Sequence, residues 1–165
     1  SYWKVIWERI TGDGPTAITN VEDMDSQDTE DIDEIGVYRE INDKLGVSIV
    51  RFEYKPKGMV LERYTLDIEQ RRAYLFYKYN NEILRYTVYM NDNDSSLGQK
   101  DLDNLLDRYE LEDKGQIISI EEYKVEDLEQ KRYAAEFEYK DAHYQLVGII
   151  EKNEFEKIIK NLVFL

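Results

Sequence analysis

The sequence of 165 residues contains no cysteine, a single histidine and only two prolines. Without cysteine, the chain forms no disulfide and offers no thiolate to a metal ion. With His143 as the only histidine, the pattern for a multi-histidine zinc site or for a serine or cysteine triad is missing. We therefore predict no cofactor and no catalytic residue of these types, and we expect His143 to hydrogen-bond Glu138 across a pair of strands.

Long apolar runs and clustered glycines are missing as well. No apolar run approaches the roughly 18 residues that a membrane-spanning helix needs. The eight glycines are scattered, so no glycine-rich loop between a strand and a helix is available to bind phosphate. The chain begins at Ser1, directly inside an apparent helix, and from this we expect that an N-terminal membrane anchor has been removed.

Positive charge is scarce. The chain has 22 basic and 36 acidic residues and a formal net charge of −14. Nucleic acids and anionic lipid surfaces both require a basic footprint, so the charge argues against both as partners. Eight of the acidic residues lie between Glu22 and Glu34 with no basic residue among them, so the rest of the chain is only mildly acidic.

Residues 1–30 are predicted to form a short amphipathic helix followed by an acidic linker. Trp3, Ile6, Trp7 and Ile10 recur at helical spacing and form one apolar stripe. We interpret the stripe as packing on the domain. Two alternatives stay open, namely the membrane-proximal end of an anchor and self-association through Trp3 and Trp7.

The acidic stretch has the spacing of a helix-flanked calcium loop. The oxygen-bearing side chains at the ligand offsets are Asp23, Asp25, Gln27, Thr29, Asp31 and Glu34. The sharp turn in the middle of such a loop needs glycine, and this chain has Asp28 there. A solvated acidic linker is therefore the preferred interpretation, with a metal site at Asp23, Asp25, Asp31 and Glu34 as the alternative.

Residues 31–165 are predicted to form a single α+β domain. We expect a curved antiparallel sheet of about six or seven strands with the C-terminal helix packed across one face. Apolar periodicity predicts helices over residues 31–45 and 101–109. It also predicts a helix in the last segment, Lys152 to Leu165, with Asn153 as N-cap and the stripe Phe155, Ile158, Ile159 and Leu162. It predicts strands over residues 47–54, 59–68, 72–79, 82–90, 116–125, 132–139 and 142–150.

Two hairpins are predicted together with their registers. A two-residue turn at Lys140-Asp141 places the apolar residues of both strands on one side. The expected pairs in this hairpin are Tyr139 with Ala142, Phe137 with Tyr144, Ala135 with Leu146 and Tyr133 with Gly148. The same reasoning at Asn80-Asn81 pairs Tyr77 with Leu84, Leu75 with Tyr86 and Ala73 with Val88.

The opposite side of the Asn80-Asn81 hairpin is half aromatic. Tyr74, Phe76, Arg85 and Tyr89 lie on it by the period of two that strands impose. When the other face of a sheet also contains aromatic side chains, those side chains must be covered by other parts of the protein or used to bind a ligand. We therefore predict that these four residues line a groove for a peptide, glycan or lipid.

Several segments resemble one bacterial family, catalogued as domain of unknown function 4367. In the first half these are Leu45-Gly-Val47, Tyr54-Lys-Pro-Lys-Gly-Met59, Ala73-Tyr-Leu-Phe-Tyr77 and Asn93-Asp-Ser-Ser-Leu-Gly98. At the end they are Lys131-Arg-Tyr-Ala-Ala-Glu-Phe-Glu-Tyr139, Tyr144-Gln-Leu-Val-Gly148 and Glu154-Phe-Glu-Lys-Ile-Ile-Lys-Asn-Leu162. In the last hairpin turn, where the family often has Asn-Gly, this chain has Lys140-Asp141.

The resemblance implies a cellular location rather than a reaction. Members commonly look like membrane-anchored proteins of Gram-positive gut bacteria, with the domain outside the cytoplasm. The family has no established activity, and so no functional residues transfer to this chain. We expect a non-catalytic extracytoplasmic interaction or sensor domain with a protein, peptide or glycan partner. The alternative is a hydrolase of carboxylate type that acts on cell-wall glycans.

Overall fold

The computed structural model describes residues 32–90 and 102–165. In chain order the elements are helix α1 (Glu34–Leu45), strands β1 (Arg51–Phe52), β2 (Val60–Asp67), β3 (Arg72–Tyr79) and β4 (Glu82–Tyr89), a 3₁₀ turn (Leu102–Asn104), strands β5 (Leu105–Asp113), β6 (Gln116–Lys124), β7 (Lys131–Tyr139) and β8 (Ala142–Ile149), helix α2 (Lys152–Ile159) and strand β9 (Leu162–Val163). Within the described ranges, seven strands form one antiparallel sheet in the order β2-β3-β4-β8-β7-β6-β5. The predicted α+β class and sheet are confirmed.

Both predicted hairpin registers are confirmed. Tyr77 lies opposite Leu84, and Phe137 lies opposite Tyr144. The turn residues adopt positive φ, with 49° and 61° at Asn80-Asn81 and 48° and 66° at Lys140-Asp141. Two successive residues with positive φ form the turn that matches the twist of paired strands, so these short segments fix the register locally.

The first face of the sheet holds the main hydrophobic core. Both described helices contribute to it, because α1 packs near β2 and α2 packs on β7. The buried helix side chains in this core are Val37, Tyr38, Ile41, Leu45, Phe155, Ile158 and Ile159. The prediction that the C-terminal helix covers one face of the sheet is therefore confirmed.

The helix predicted over residues 101–109 is wrong. The chain makes a 3₁₀ turn and then enters β5, which pairs along its length with β6. Tyr109 and Leu111 alternate along this strand and pack against the main core. The leucine spacing is compatible with a helix, but the segment forms an edge strand instead. Pairing with β6 satisfies every second N–H and C=O along this strand.

The ends of the domain also differ from the prediction. Only Arg51–Phe52 of the expected strand 47–54 is paired, and its partner is Leu162–Val163. The final helix ends at Ile159 rather than Leu162. Leu162 is instead tied to the β5–β6 turn, because its N–H donates to Asp113 Oδ2 (2.9 Å) and its carbonyl accepts from Lys114 Nζ (2.7 Å).

The helix starts differ as well. The structure begins α1 at Glu34 rather than residue 31, and the N-cap of α2 is Glu151 rather than the predicted Asn153, so that α2 begins at Lys152. The amphipathic helix and acidic linker predicted for residues 1–30 lie outside the described residues. No helix in the described part of the chain is long and apolar enough to cross a membrane.

Candidate functional site

The sheet face opposite both described helices is called the second face here. At its centre lie Tyr74, Phe76, Ile83, Arg85, Thr87, Tyr123, Ala134, Gln145 and Val147. Cross-strand pairing places Phe76 opposite Arg85 and Tyr74 opposite Thr87. Tyr89, the fourth residue of the predicted groove, lies on the same face at the end of β4, opposite His143 of β8.

Three of the four predicted groove residues are buried. The exposed fraction is 5% for Tyr74, 1% for Phe76 and 3% for Arg85. Tyr89 is half-buried. The structure therefore gathers the predicted residues on one face but leaves only Tyr89 with substantial access to solvent.

A hydrogen-bonded row of polar side chains crosses the centre of this face. Arg85 Nη2 donates to Gln145 Oε1 (2.7 Å), and Gln145 Nε2 donates to Glu136 Oε1 (3.2 Å). Gln145 was missed by sequence reasoning because its contact with Arg85 depends on the pairing of β4 with β8, two strands that are distant in the chain. The row holds a guanidinium group among aromatic and aliphatic side chains.

A second polar group lies further along the same face, on β5, β6 and β7. The guanidinium of Arg132 stacks over the ring of Tyr123 at 4.7 Å from its centroid. The Tyr123 hydroxyl donates to Glu121 Oε1 (2.9 Å), and Arg108 Nε donates to Glu121 Oε2 (3.1 Å). Burial, helped by the hydrogen bond to Glu121, raises the pKa of Tyr123 above its usual range, so the hydroxyl stays a donor.

A cleft of about 580 Å³ opens beside Tyr89 at one end of the sheet. Its lining residues are Met90, Gln116, Glu138, Tyr139, Lys140, Asp141 and His143. The rings of Tyr89 and His143 stack, with centroids 5.0 Å apart and planes inclined by 16°. His143 Nδ1 lies 3.2 Å from Glu138 Oε1, so the geometry agrees with the expected cross-strand contact.

Carboxylates on the first face are engaged by tyrosine hydroxyls. In the described residues six such hydrogen bonds, 2.5 to 3.2 Å long, join the strands and the Tyr54 segment to helices α1 and α2, to Glu151 or to β6. The pairs are Tyr54 with Glu154, Tyr64 with Glu40, Tyr77 with Glu34, Tyr79 with Glu151, Tyr109 with Glu156 and Tyr133 with Glu122. Three of these bonds, from Tyr64, Tyr77 and Tyr109, attach a helix to the sheet, which gives the carboxylates a structural role.

One predicted calcium ligand falls within the described residues. Glu34 Oε1 accepts a hydrogen bond from Lys55 and Oε2 accepts one from Tyr77, each at 2.6 Å. Asp23, Asp25 and Asp31 lie outside the described residues. Within the described ranges no group of three or more histidine, aspartate or glutamate side chains is arranged to hold a metal ion.

Comparison with known proteins gives one match. The family model described as Domain of unknown function (DUF4367) matches residues 49–162. This span includes all seven strands of the main sheet and helix α2. No curated protein and no solved structure matches the chain.

Proposed function

Because the chain belongs to the DUF4367 family, whose description names no activity, we propose from its geometry that it is a non-catalytic interaction or sensor domain. It acts outside the cytoplasm as part of a membrane-anchored protein. The observation that supports binding is the cleft itself, which is lined by His143, whose ring stacks on that of Tyr89. Aromatic rings of this kind offer a flat apolar surface with polar edges to a ligand.

The cleft fits a peptide or glycan better than an apolar ligand. Lys140, Glu138 and Asp141 line it together with Gln116, so most of its groups donate or accept hydrogen bonds. Sugar rings and aromatic peptide side chains both stack on rings such as that of Tyr89, while their polar groups pair with the surrounding side chains. The ligand class is therefore a polar molecule with one flat apolar face.

The carboxylates favour binding over hydrolysis. A glycosidase needs a carboxyl group in an apolar pocket that keeps it protonated, opposite a second carboxylate. In the cleft, Glu138 and Asp141 are both exposed. The first-face glutamates Glu34, Glu154 and Glu156 accept tyrosine hydrogen bonds instead. A hydrolase remains the alternative outcome of the binding experiment below.

The location outside the cytoplasm is supported by the family resemblance of the hairpin and C-terminal helix. We test it by expressing the complete gene product with an epitope tag after Leu165 and adding protease to intact cells. The proposal predicts loss of the tag signal without lysis, with a cytoplasmic protein preserved as the internal control. Protection of the tag until lysis contradicts it.

Binding is tested with two probes in parallel, soluble muropeptides from a Gram-positive cell wall and a phage-displayed random peptide library. We expect saturable binding of one probe class that is lost in Tyr89→Ala. The matched control is Val60→Ala, because Val60 is 42% exposed and pairs with Lys78, at the end of the sheet opposite Tyr89. Failure of both probes to bind, or binding that survives Tyr89→Ala, contradicts the proposed site. Release of new reducing ends from the muropeptides indicates the hydrolase instead.

A further inference from the structure

Strand β5 is one of the two edges of the seven-stranded sheet. Its inner side pairs with β6, and in the part of the chain that the structure describes no strand lies along its outer side. The strand is nine residues long. Because every second N–H and C=O of an edge strand points outward, such an edge is a template on which a further strand can form hydrogen bonds.

Two opposite charges flank the middle residue of β5 and lie on the second face. Arg108 pairs with Glu121 of β6, and Glu110 pairs with Ser119, whereas Tyr109 between them points to the first face opposite Ile120. The Arg108 guanidinium lies 3.0 Å from Glu121, yet 55% of the arginine side chain remains exposed. The edge therefore presents a positive and a negative charge two residues apart, on the same face.

This charge pattern is complementary to itself. Two identical antiparallel strands that are related by a two-fold axis pair symmetrically about one central residue. With Tyr109 at the centre, Arg108 of each copy lies opposite Glu110 of the other. Opposite charges placed directly across a pair of strands stabilise the pair, and like charges destabilise it. Pairing about Tyr109 therefore brings two attractive charge pairs together at once.

The other symmetric registers in the regular part of β5, which follows the irregularity between Leu105 and Asp107, all oppose like charges. Centring the pair on any charged residue sets that residue against its own copy. Centring it on Leu111 sets Glu110 of each copy against Glu112 of the other. The register about Tyr109 thus combines attraction with the absence of direct repulsion, so the charges of the edge favour this one pairing over its neighbours.

We propose that β5 is an interface for a second copy of this chain, which pairs with it antiparallel about a two-fold axis at Tyr109. The sheets of the two chains then join into one, and each Arg108 bridges Glu121 of its own chain and Glu110 of the second copy. Such a dimer presents two copies of the cleft beside Tyr89, so a repeating polymer can occupy both at once. The association itself does not depend on the proposed binding function, since its measurement needs no ligand.

Sedimentation velocity of the full chain over a dilution series tests the association. The proposal predicts a dimer that dissociates on dilution. Glu110→Arg opposes like charges at both pairs, and we expect it to raise the dissociation constant about tenfold or more. The matched control is Glu112→Arg, which makes the same change of charge on the same face but lies opposite Leu106 in the proposed register, so the dissociation constant is expected to stay within about twofold. A chain that is monomeric at the highest concentration reached overturns the proposal, as does a dimer that both variants weaken equally or that Glu110→Arg leaves intact.

A mixture of two charge variants tests the register itself. Arg108→Glu and Glu110→Arg each oppose like charges in a pair of identical copies, but a mixed pair has opposite charges at both positions. We therefore expect each variant to sediment as a monomer alone and the two to form a dimer when mixed in equal amounts. Because Arg108→Glu also loses its contact with Glu121, its folding is checked by urea denaturation. If it does not fold, the comparison of Glu110→Arg with Glu112→Arg decides the outcome. Folded variants that form no dimer when mixed overturn the proposed register.

Discussion

Tyr77 provides the sharpest test of how the helices are attached to the sheet. Its side chain is 0% exposed, its hydroxyl donates to Glu34 Oε2 at 2.6 Å, and Tyr38 Oη lies 3.1 Å away. Burial is the main cause that raises the pKa of Tyr77 far above its usual range, so the hydroxyl remains a donor. Tyr77→Phe removes a hydrogen bond to a charged group, which is worth about 1.5–3 kcal/mol.

We expect Tyr77→Phe to lower the free energy of unfolding by about 2 kcal/mol. For a urea m-value near 2 kcal/mol/M, this moves the denaturation midpoint down by about 1 M. Tyr79→Phe is the matched control, because its hydroxyl donates at 3.2 Å to Glu151, an exposed carboxylate. That bond competes with water, and its loss is expected to cost about 0.5 kcal/mol.

A double-mutant cycle separates the hydrogen bond from packing. In the Glu34→Gln background the acceptor of Tyr77 is neutral, so Tyr77→Phe is expected to cost about 1 kcal/mol there. Lys55, which donates to the other carboxylate oxygen of Glu34 at 2.6 Å, is left unchanged throughout. Tyr77→Phe costing no more than Tyr79→Phe, or costing the same in both backgrounds, refutes the charged hydrogen bond as the source of stability.

Three further predictions concern the core, the response to alkali and calcium. A Cβ at Gly148 would lie 2.6 Å from Leu84 Cγ and 3.0 Å from Leu84 Cα, so Gly148→Ala is expected to cost about 1–3 kcal/mol in urea denaturation, and an unchanged midpoint contradicts this contact. Burial raises the pKa of Tyr144 to about 12 and also raises that of Tyr86 well above its usual value; because the folded state keeps these protons, stability is full below about pH 10 and falls as pH rises above it. A urea midpoint that stays constant across that alkaline range contradicts the burial of these hydroxyls. Calorimetric titration of the full chain with calcium is expected to give no saturable heat, and a heat that is lost in Asp23→Asn would instead support the calcium site.

The two hairpins were predictable because their information is local. Asn80-Asn81 and Lys140-Asp141 set tight turns, and apolar alternation on each side then permits a single register. The pairing of β4 with β8, which joins strands β2–β4 to strands β5–β8 in one sheet, was not predictable in this way. The paired residues are about sixty positions apart in the chain, as the contact between Arg85 and Gln145 shows. The sequence of either strand alone does not indicate which strand it pairs with.

Strand β5 shows the limit of periodicity. The leucines at 102, 105 and 106 fit a helix equally well, and only the ladder with β6 decides the conformation. The chain end is a similar case, since Leu162 leaves the helix to bond Asp113 and Lys114. Both outcomes depend on backbone groups at a sheet edge, which apolar spacing does not describe.

The candidate site was predictable in position but not in environment. Alternation alone placed Tyr74, Phe76, Arg85 and Tyr89 on one face. Their burial and the row from Arg85 through Gln145 to Glu136 depend on which strands become neighbours. The cleft beside Tyr89 arises where the β7–β8 turn meets the end of β4, and only the assembled sheet brings these parts together.

Titration of the full chain with soluble muropeptides tests the proposed cleft most directly, because His143 is the single histidine of the chain and lines the cleft. We predict that the imidazole proton signals of His143 shift saturably with the muropeptides or with a peptide selected from the library, both in the unaltered chain and in Val60→Ala. We predict no saturable shift in Tyr89→Ala. Signals that respond to neither probe, or that shift equally in Tyr89→Ala, would contradict binding at the cleft.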